Sequence, residues 1–341
     1  MPRLLFFGET MTTATDITVI YIVGPSRSGS TLIEDYIARR FGGVACGELY
    51  RISQFAKGDA RIIKEDGAEE TCACGAPVSE CAFWCAVAEE AGLDLVQSSF
   101  RSRLSRRQRV FFRLFVRLLG ARLTNRMGKL VPAFERELEV GENCLRIYRA
   151  ISRVANVSLI VDSSKQAHQY YILKAVAPKK MRLINLLRDG RSVVASMTKR
   201  ARGEVLARKI MAGTGRSPAP EDVAEKAFRA WMLSTLNGLV AFAFTSRGRR
   251  AMLRYEEFFD DPKNEMSRIE HSFSLTKKNY AQESHAIGGS PSRYTVGFED
   301  LRADASWKER TPPQKTSVVT VSAHLLNRAL GYRGVDRSEK N

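Results

Sequence analysis

Short apolar runs alternate with helix-period patterns along this chain. The first run, Ile17-Thr18-Val19-Ile20-Tyr21-Ile22-Val23, is rich in β-branched residues and is bounded by Gly24-Pro25. That pattern predicts a strand buried on both faces of a parallel sheet. Leu32, Ile33, Tyr36, Ile37 and Phe41 then recur at helical spacing, and Gly42-Gly43 closes the helix. Two similar strands are predicted at Val157 to Val161 and Met181 to Leu187, with helical patterns after them near Ala167 to Val176 and Ser192 to Lys199. A shorter strand near Ala251 to Arg254 precedes a helix after Pro262. Strands alternating with helices predict a three-layer α/β domain with a mainly parallel sheet.

The stretch 48–142 breaks this rhythm and reads as an insertion over the ligand edge of the sheet, holding a cysteine cluster and a basic helix. Residues 1–16 read as a disordered lead-in, 17–333 as the domain, and 334–341 as a flexible tail. Gly213 to Pro220 reads as a mobile loop. The run Leu4-Leu5-Phe6-Phe7 is ended by Glu9 with no small-residue cleavage site after it, and nothing approaches the ~18 apolar residues of a membrane span. A cytoplasmic location is expected.

Charge narrows the choice of partner. The formal net charge of +17 calls for something anionic, but composition alone does not choose among nucleotide, nucleic acid, acidic polymer and membrane surface. Much of the surplus lies between Arg101 and Lys129, where ten basic residues and no acidic one are interleaved with Val110, Phe111, Phe112, Leu114, Phe115, Val116, Leu118 and Leu119. An amphipathic basic helix can lie on an anionic membrane. It can equally pack its apolar side on the domain and turn its arginines to solvent or into an acceptor cleft. Four of the six cysteines, Cys72, Cys74, Cys81 and Cys85, are clustered. A zinc knuckle is one reading, disfavoured because the paired two-residue gaps of common zinc sites are missing. Reduced buried thiols, or bridges in an oxidising compartment, are the others.

Between the first strand and the first helix lies Gly24-Pro25-Ser26-Arg27-Ser28-Gly29-Ser30-Thr31. A glycine-rich turn there lets backbone N–H groups and a helix N-terminus converge on a phosphate, as in a P-loop. The lysine that follows the second glycine in P-loop NTPases is replaced by Ser30, and the cation has moved to Arg27. That substitution weighs against ATP or GTP hydrolysis, for which Asp162 is the candidate magnesium ligand. A phosphosulfate carries less charge than a triphosphate end, so basic side chains and N–H groups suffice without a metal.

With these residues in place, the sequence resembles the PAPS-dependent sulfotransferases (PAPS is 3′-phosphoadenosine 5′-phosphosulfate), nearest in style to the carbohydrate and tyrosylprotein groups and their bacterial relatives. Pro25, Ser26, Arg27, Ser28, Gly29, Ser30 and Thr31, followed by Leu32, resemble the family's 5′-phosphosulfate motif. Leu187 to Ser196 resembles the 3′-phosphate motif, in which an arginine and a serine eight residues later, here Arg188 and Ser196, hold that phosphate. Arg200 falls where tyrosylprotein enzymes carry another donor-binding arginine. Val161-Asp162-Ser163-Ser164-Lys165, Tyr255 in Arg254-Tyr255-Glu256, and Gly289 to Arg293 with Trp307-Lys308 resemble further donor-side elements. The likeness runs thinly from Val19 to Tyr332 and is dense only in the two phosphate motifs.

The resemblance implies a P-loop-like fold and an enzyme moving a sulfuryl group from PAPS to an acceptor hydroxyl in line, with PAP as product and no metal. The histidine base of the aryl and steroid enzymes has no counterpart: His168, His271, His285 and His324 lack its surroundings and read as core or surface residues. Cys46-Gly47-Glu48 resembles the Cys-Gly-Glu segment of tyrosylprotein enzymes, although Leu49 replaces the second glutamate, which is the catalytic one there. Glu48 is therefore the candidate base, with Arg27, Thr31 and Lys165 to stabilise charge on the departing oxygen. A sugar hydroxyl on a glycan or glycolipid is expected over peptide tyrosine, with peripheral contact to an anionic membrane admitted and no nucleic acid expected. The rival readings are a P-loop small-molecule kinase and, behind it, a nucleic-acid-binding protein.

Overall fold

The computed structural model describes residues 17–58, 72–128, 130–199, 220–278, 283–289, 307 and 317–332. The expected lead-in and tail, residues 213–219 of the expected loop, and Lys129, Arg200, Arg293 and Lys308 lie outside them.

Five parallel strands form one sheet in the order β2-β3-β1-β4-β5: β1 Thr18–Val23, β2 Gly43–Ala45, β3 Leu159–Lys165, β4 Met181–Leu187 and β5 Arg250–Arg254. The pleat divides the apolar residues of β1 between two cores. Val19, Tyr21 and Val23 face one side, packing with α3 (Ala82–Ala91), α4 (Arg106–Leu118), α6 (Pro132–Ala155) and α7 (Ala167–Val176). Ile20 and Ile22 face the other, against α1 (Ser30–Phe41), α10 (Tyr255–Asp260) and α11 (Pro262–Phe273). A strand with an unbroken run of apolar and aromatic residues, Val19 to Val23, is thus one whose two faces are both covered, as the first run predicts. Short α2 (Ile52–Ala56) follows the first crossover, and α5 (Gly120–Gly128) lies between α4 and α6. A third cluster joins α8 (190–199), α9 (Pro220–Ala243) and α12 (Val318–Ala329) around Trp231 and Phe228.

Several boundaries differ from the sequence reading. The third strand begins at Leu159, two residues late, and runs on through Asp162-Ser163-Ser164-Lys165. Those polar residues continue it because each finds a partner: Tyr148 Oη donates to Asp162, Ser163 Oγ to Glu34, and the Ser164 N–H to Asp162. Strand β2 was concealed by Gly42-Gly43: Gly42 caps α1 at φ 68°, and the next residue starts the edge strand. Within the expected insertion, α3 and α4 share the sheet's core, and α6 runs past position 142 to Ala155.

Every strand points the same way, so the loops after β1, β3, β4 and β5 open at one edge of the sheet. This carboxyl edge, where central β1 lies between β3 and β4, is where open α/β sheets bind ligands.

Candidate active site

The Gly24 to Thr31 loop follows β1 directly, and α1 starts at Ser30 with Gly29 as its N-cap at φ 81°. A side chain at Gly29 would run into the Tyr255 ring, so the close approach of the loop to α10 requires glycine. Pro25, Ser28 and Ser30 are buried, while Ser26 is exposed at the turn. Two of the four described non-glycine residues at positive φ, Asn156 and Ser274, are helix C-caps. The other two are Arg27 (66°), in the loop after β1, and Lys165 (67°), the last residue of β3. Left-handed backbone at such residues costs on the order of 1–3 kcal/mol, which marks functional or tightly constrained positions.

The two phosphate motifs meet. Arg27 Nε donates to Ser196 Oγ at 2.9 Å, and an Arg188 terminal nitrogen donates to the Arg27 carbonyl at 2.7 Å. Arg27 therefore reaches toward the predicted 3′-phosphate serine as well as belonging to the predicted 5′ loop. Arg188 lies flat over Tyr255, its guanidinium carbon 3.8 Å from the ring centroid, while Trp231 Nε1 donates to the Arg188 carbonyl at 3.0 Å. Three buried polar atoms here have no partner among the described residues: Ser28 Oγ, Ser30 Oγ and Arg188 Nε. Buried polar groups are ordinarily satisfied, and this set suits an anion's oxygens. The turn beneath is braced by Asp189, which pairs with Arg191 at 2.6 Å and accepts from Asn327. Arg191 in turn lies over Trp307, 5.1 Å from its ring centroid.

Beside the loop opens a cleft of about 650 Å³ whose lining includes Ser26, Glu48, Lys165, Arg106, Arg109 and Arg113. Lys165 Nζ donates to Glu48 at 2.5 Å, and Arg51 holds the other carboxylate oxygen at 3.3 Å. Burial raises the Glu48 pKa, but the Lys165 ammonium and then Arg51 outweigh it and hold the carboxyl below its usual range. Burial, followed by repulsion from Arg117, depresses the Arg113 pKa.

Glu48 owes its position to a residue that the sequence reading passed over. Fully buried Glu34 on α1 accepts the Gly47 N–H at 2.6 Å and the Ser163 hydroxyl at 2.5 Å. Gly47 sits at φ 76° and pairs with Ile287, whose carbonyl accepts the Glu48 N–H at 2.7 Å. A side chain at Gly47 would collide with that carbonyl. A glutamate inside a helical apolar pattern carries no signal of such a role unless its partners are known.

Three further expectations are settled by the geometry. Asp162 is fully buried and its carboxylate is taken by Tyr148 and Ser164, so it is not an open magnesium ligand. His168 is a core residue bonded to Glu137 at 2.8 Å. The expected cysteine set needs correction: Cys85 is exposed and turns to the Ser79 carbonyl at 3.4 Å, whereas His285 stands with Cys72, Cys74 and Cys81. Chain contiguity pointed to Cys85; the histidine comes from 200 positions further on.

Among known proteins, the model of the sulfotransferase family matches residues 19–278. No curated protein matches the chain. Of solved structures, the sulfotransferase domain from the curacin biosynthetic pathway is 15% identical at a TM-score of 0.49, covering 93% of this chain and 98% of that one. The sulfotransferase domain of the Synechococcus PCC 7002 olefin synthase is 14% identical at 0.46, covering 96% and 100%. Sulfotransferase STF1 from Mycobacterium tuberculosis H37Rv is 14% identical at 0.43, covering 87% and 77%.

Proposed function

Because the chain belongs to the sulfotransferase family, we propose that it transfers the sulfuryl group of PAPS to an acceptor hydroxyl, with Glu48 as general base. The observation that carries this reading is the meeting of Arg27, Arg188 and Ser196, with buried Ser28 Oγ, Ser30 Oγ and Arg188 Nε unpartnered among the described residues, beside a cleft lined by the Glu48–Lys165 pair. Arg188 and Ser196 would hold the 3′-phosphate, and the loop Pro25 to Thr31 the phosphosulfate. Tyr255 supports the Arg188 guanidinium from below. Lys165 would move from Glu48 to the bridging oxygen as PAP departs, freeing the carboxylate to take the acceptor's proton while the new S–O bond forms. No metal is required by this scheme. Arg200 and Arg293 remain part of the proposed donor site on the strength of the resemblance alone.

The acceptor enters by the cleft. Its arginine wall favours an acceptor with an anionic group nearby, and α4, which supplies Val110 to the lining, also carries exposed Phe111, Leu114 and Leu118. A sugar hydroxyl presented on a glycolipid at an anionic membrane surface fits both. No helix among the described residues is long and apolar enough to cross a membrane.

The test is transfer of label from PAPS to a panel of sugar and glycolipid acceptors. Glu48→Gln should keep PAP affinity and lose turnover by roughly 10²–10⁴-fold, the worth of a general base. Since the free enzyme's Glu48 is held below the usual carboxylate range, kcat/KM should show no acid limb above about pH 5. Near-parental turnover in Glu48→Gln with the best acceptor would move the base elsewhere.

A further inference from the structure

The ligand atoms of Cys72, Cys74, Cys81 and His285 all lie within 4.8 Å of one another. Four of their six separations match the edges of a coordination shell. A tetrahedral centre with metal–sulfur bonds of about 2.3 Å and a metal–nitrogen bond of about 2.0–2.1 Å sets S···S edges of about 3.8 Å and S···N edges of about 3.5 Å. The structure has Cys74 to Cys81 and Cys81 to Cys72 at 3.7 Å, and His285 Nδ1 at 3.5 Å from Cys81 and 3.7 Å from Cys72. A disulfide would need its sulfurs at about 2.05 Å. All six cysteines are free.

The surroundings are built to hold that shell. The Gly75 N–H donates to the Cys72 carbonyl at 2.8 Å, and the Cys72 N–H to Ala76 at 2.9 Å, so the first two ligands share one tight turn. The His285 ring is stacked on Phe83, 4.6 Å between centroids and 6° from parallel, and Trp84 Nε1 donates to the His285 carbonyl at 2.9 Å. Packing on one side and a backbone bond on the other fix the imidazole with Nδ1 inward, the usual role of outer-shell contacts around a metal ligand.

We infer that Cys72, Cys74, Cys81 and His285 bind one structural zinc ion that fastens the 72–91 segment to the strand-like stretch 284–289 behind Glu48. Three thiolates and an imidazole at tetrahedral spacing select zinc over the hard cations, and four protein ligands leave no open position for catalysis. The mechanical link is short. The Ala73 N–H donates to Ala286, and the next residue, Ile287, exchanges backbone bonds with Cys46 and Glu48. The ion thus positions the Glu48 loop without touching substrate.

Elemental analysis of the full chain purified without chelator tests this independently of any sulfuryl transfer. About one zinc per chain is expected, with three thiols shielded from a thiol reagent until a chelator is added. His285→Ala should hold zinc at least about 10–100-fold more weakly in competition with a chelator, because losing a ligand costs at least as much as an outer-shell change. Cys85→Ser should hold it as tightly as the unaltered protein. Should His285→Ala be insoluble, the unaltered protein decides: metal removal should quicken hydrogen exchange at the Glu48 and Ile287 amides. A zinc-free protein that takes up none from an equimolar addition, a disulfide among the three cysteines, or loss of metal in Cys85→Ser overturns the site. Unchanged exchange after metal removal overturns the positioning role.

Discussion

Glu34 shows how one buried residue couples pH to the candidate base. Burial pushes its carboxyl up to about 8, although the Ser163 hydroxyl and the Gly47 N–H favour the ionised form. A carboxyl whose folded pKa lies above its unfolded value leaves the native state at full strength below the unfolded pKa and weakens it as pH rises toward the folded one. The window here runs from the ordinary 4.5 to about 8. Asp162, raised to about 6 chiefly by burial, acts the same way over the lower part of it. Glu34→Gln keeps an acceptor for Gly47 and a polar partner for Ser163 without a charge to bury. The variant should therefore gain stability on the order of a few kcal/mol by about pH 8. Thermal or urea melts at several pH values check this. The parent should lose stability between about pH 6 and 8 while Glu34→Gln stays level, and parallel curves would contradict it.

At the scale of elements, α4 carries features of both readings left open by its composition. Its buried side is narrow: Phe112 and Val116 pack inward, while Phe111, Leu114 and Leu118 are 58%, 42% and 69% exposed. Its arginines are divided too. Arg109 and Arg113 turn inward, bonding to the Leu104 carbonyl and to Asn237, whereas Arg106 and Arg107 are exposed. Anionic vesicles should therefore sediment the protein at low salt, less so as salt screens the charges. Phe111→Ser with Leu118→Ser should weaken that binding while leaving PAP binding intact. Protein that stays in the supernatant with anionic vesicles at low salt rules out the membrane contact. Strands β1, β3, β4 and β5 and helices α1, α4, α7, α8 and α11 were legible because apolar period reports burial directly. What stayed hidden was what depends on contacts between distant segments: strand β2 behind a glycine pair, the polar end of β3, His285 beside three cysteines, and the underpinning of Gly47 by Glu34. Glu48 and Lys165, singled out separately on motif likeness, are brought together at 2.5 Å.

For the whole molecule, the sheet's parallel direction collects the loops after β1, β3, β4 and β5 at one edge, and a net charge of +17 draws anions toward the chain. What separates this account from a kinase or an indiscriminate polyanion binder is where the phosphates must sit. PAP and ADP carry the same two phosphates on the same nucleoside, one as 3′,5′-bisphosphate and the other as 5′-diphosphate. Calorimetric titration with both, in the same buffer and salt, tests the central claim directly. PAP should bind more tightly by about 1.5–3 kcal/mol, the worth of a charged hydrogen-bonded contact, and Arg188→Ala should remove most of that preference. Equal affinities, or tighter binding of ADP, would contradict a site built around Arg188 and Ser196 for a 3′-phosphate.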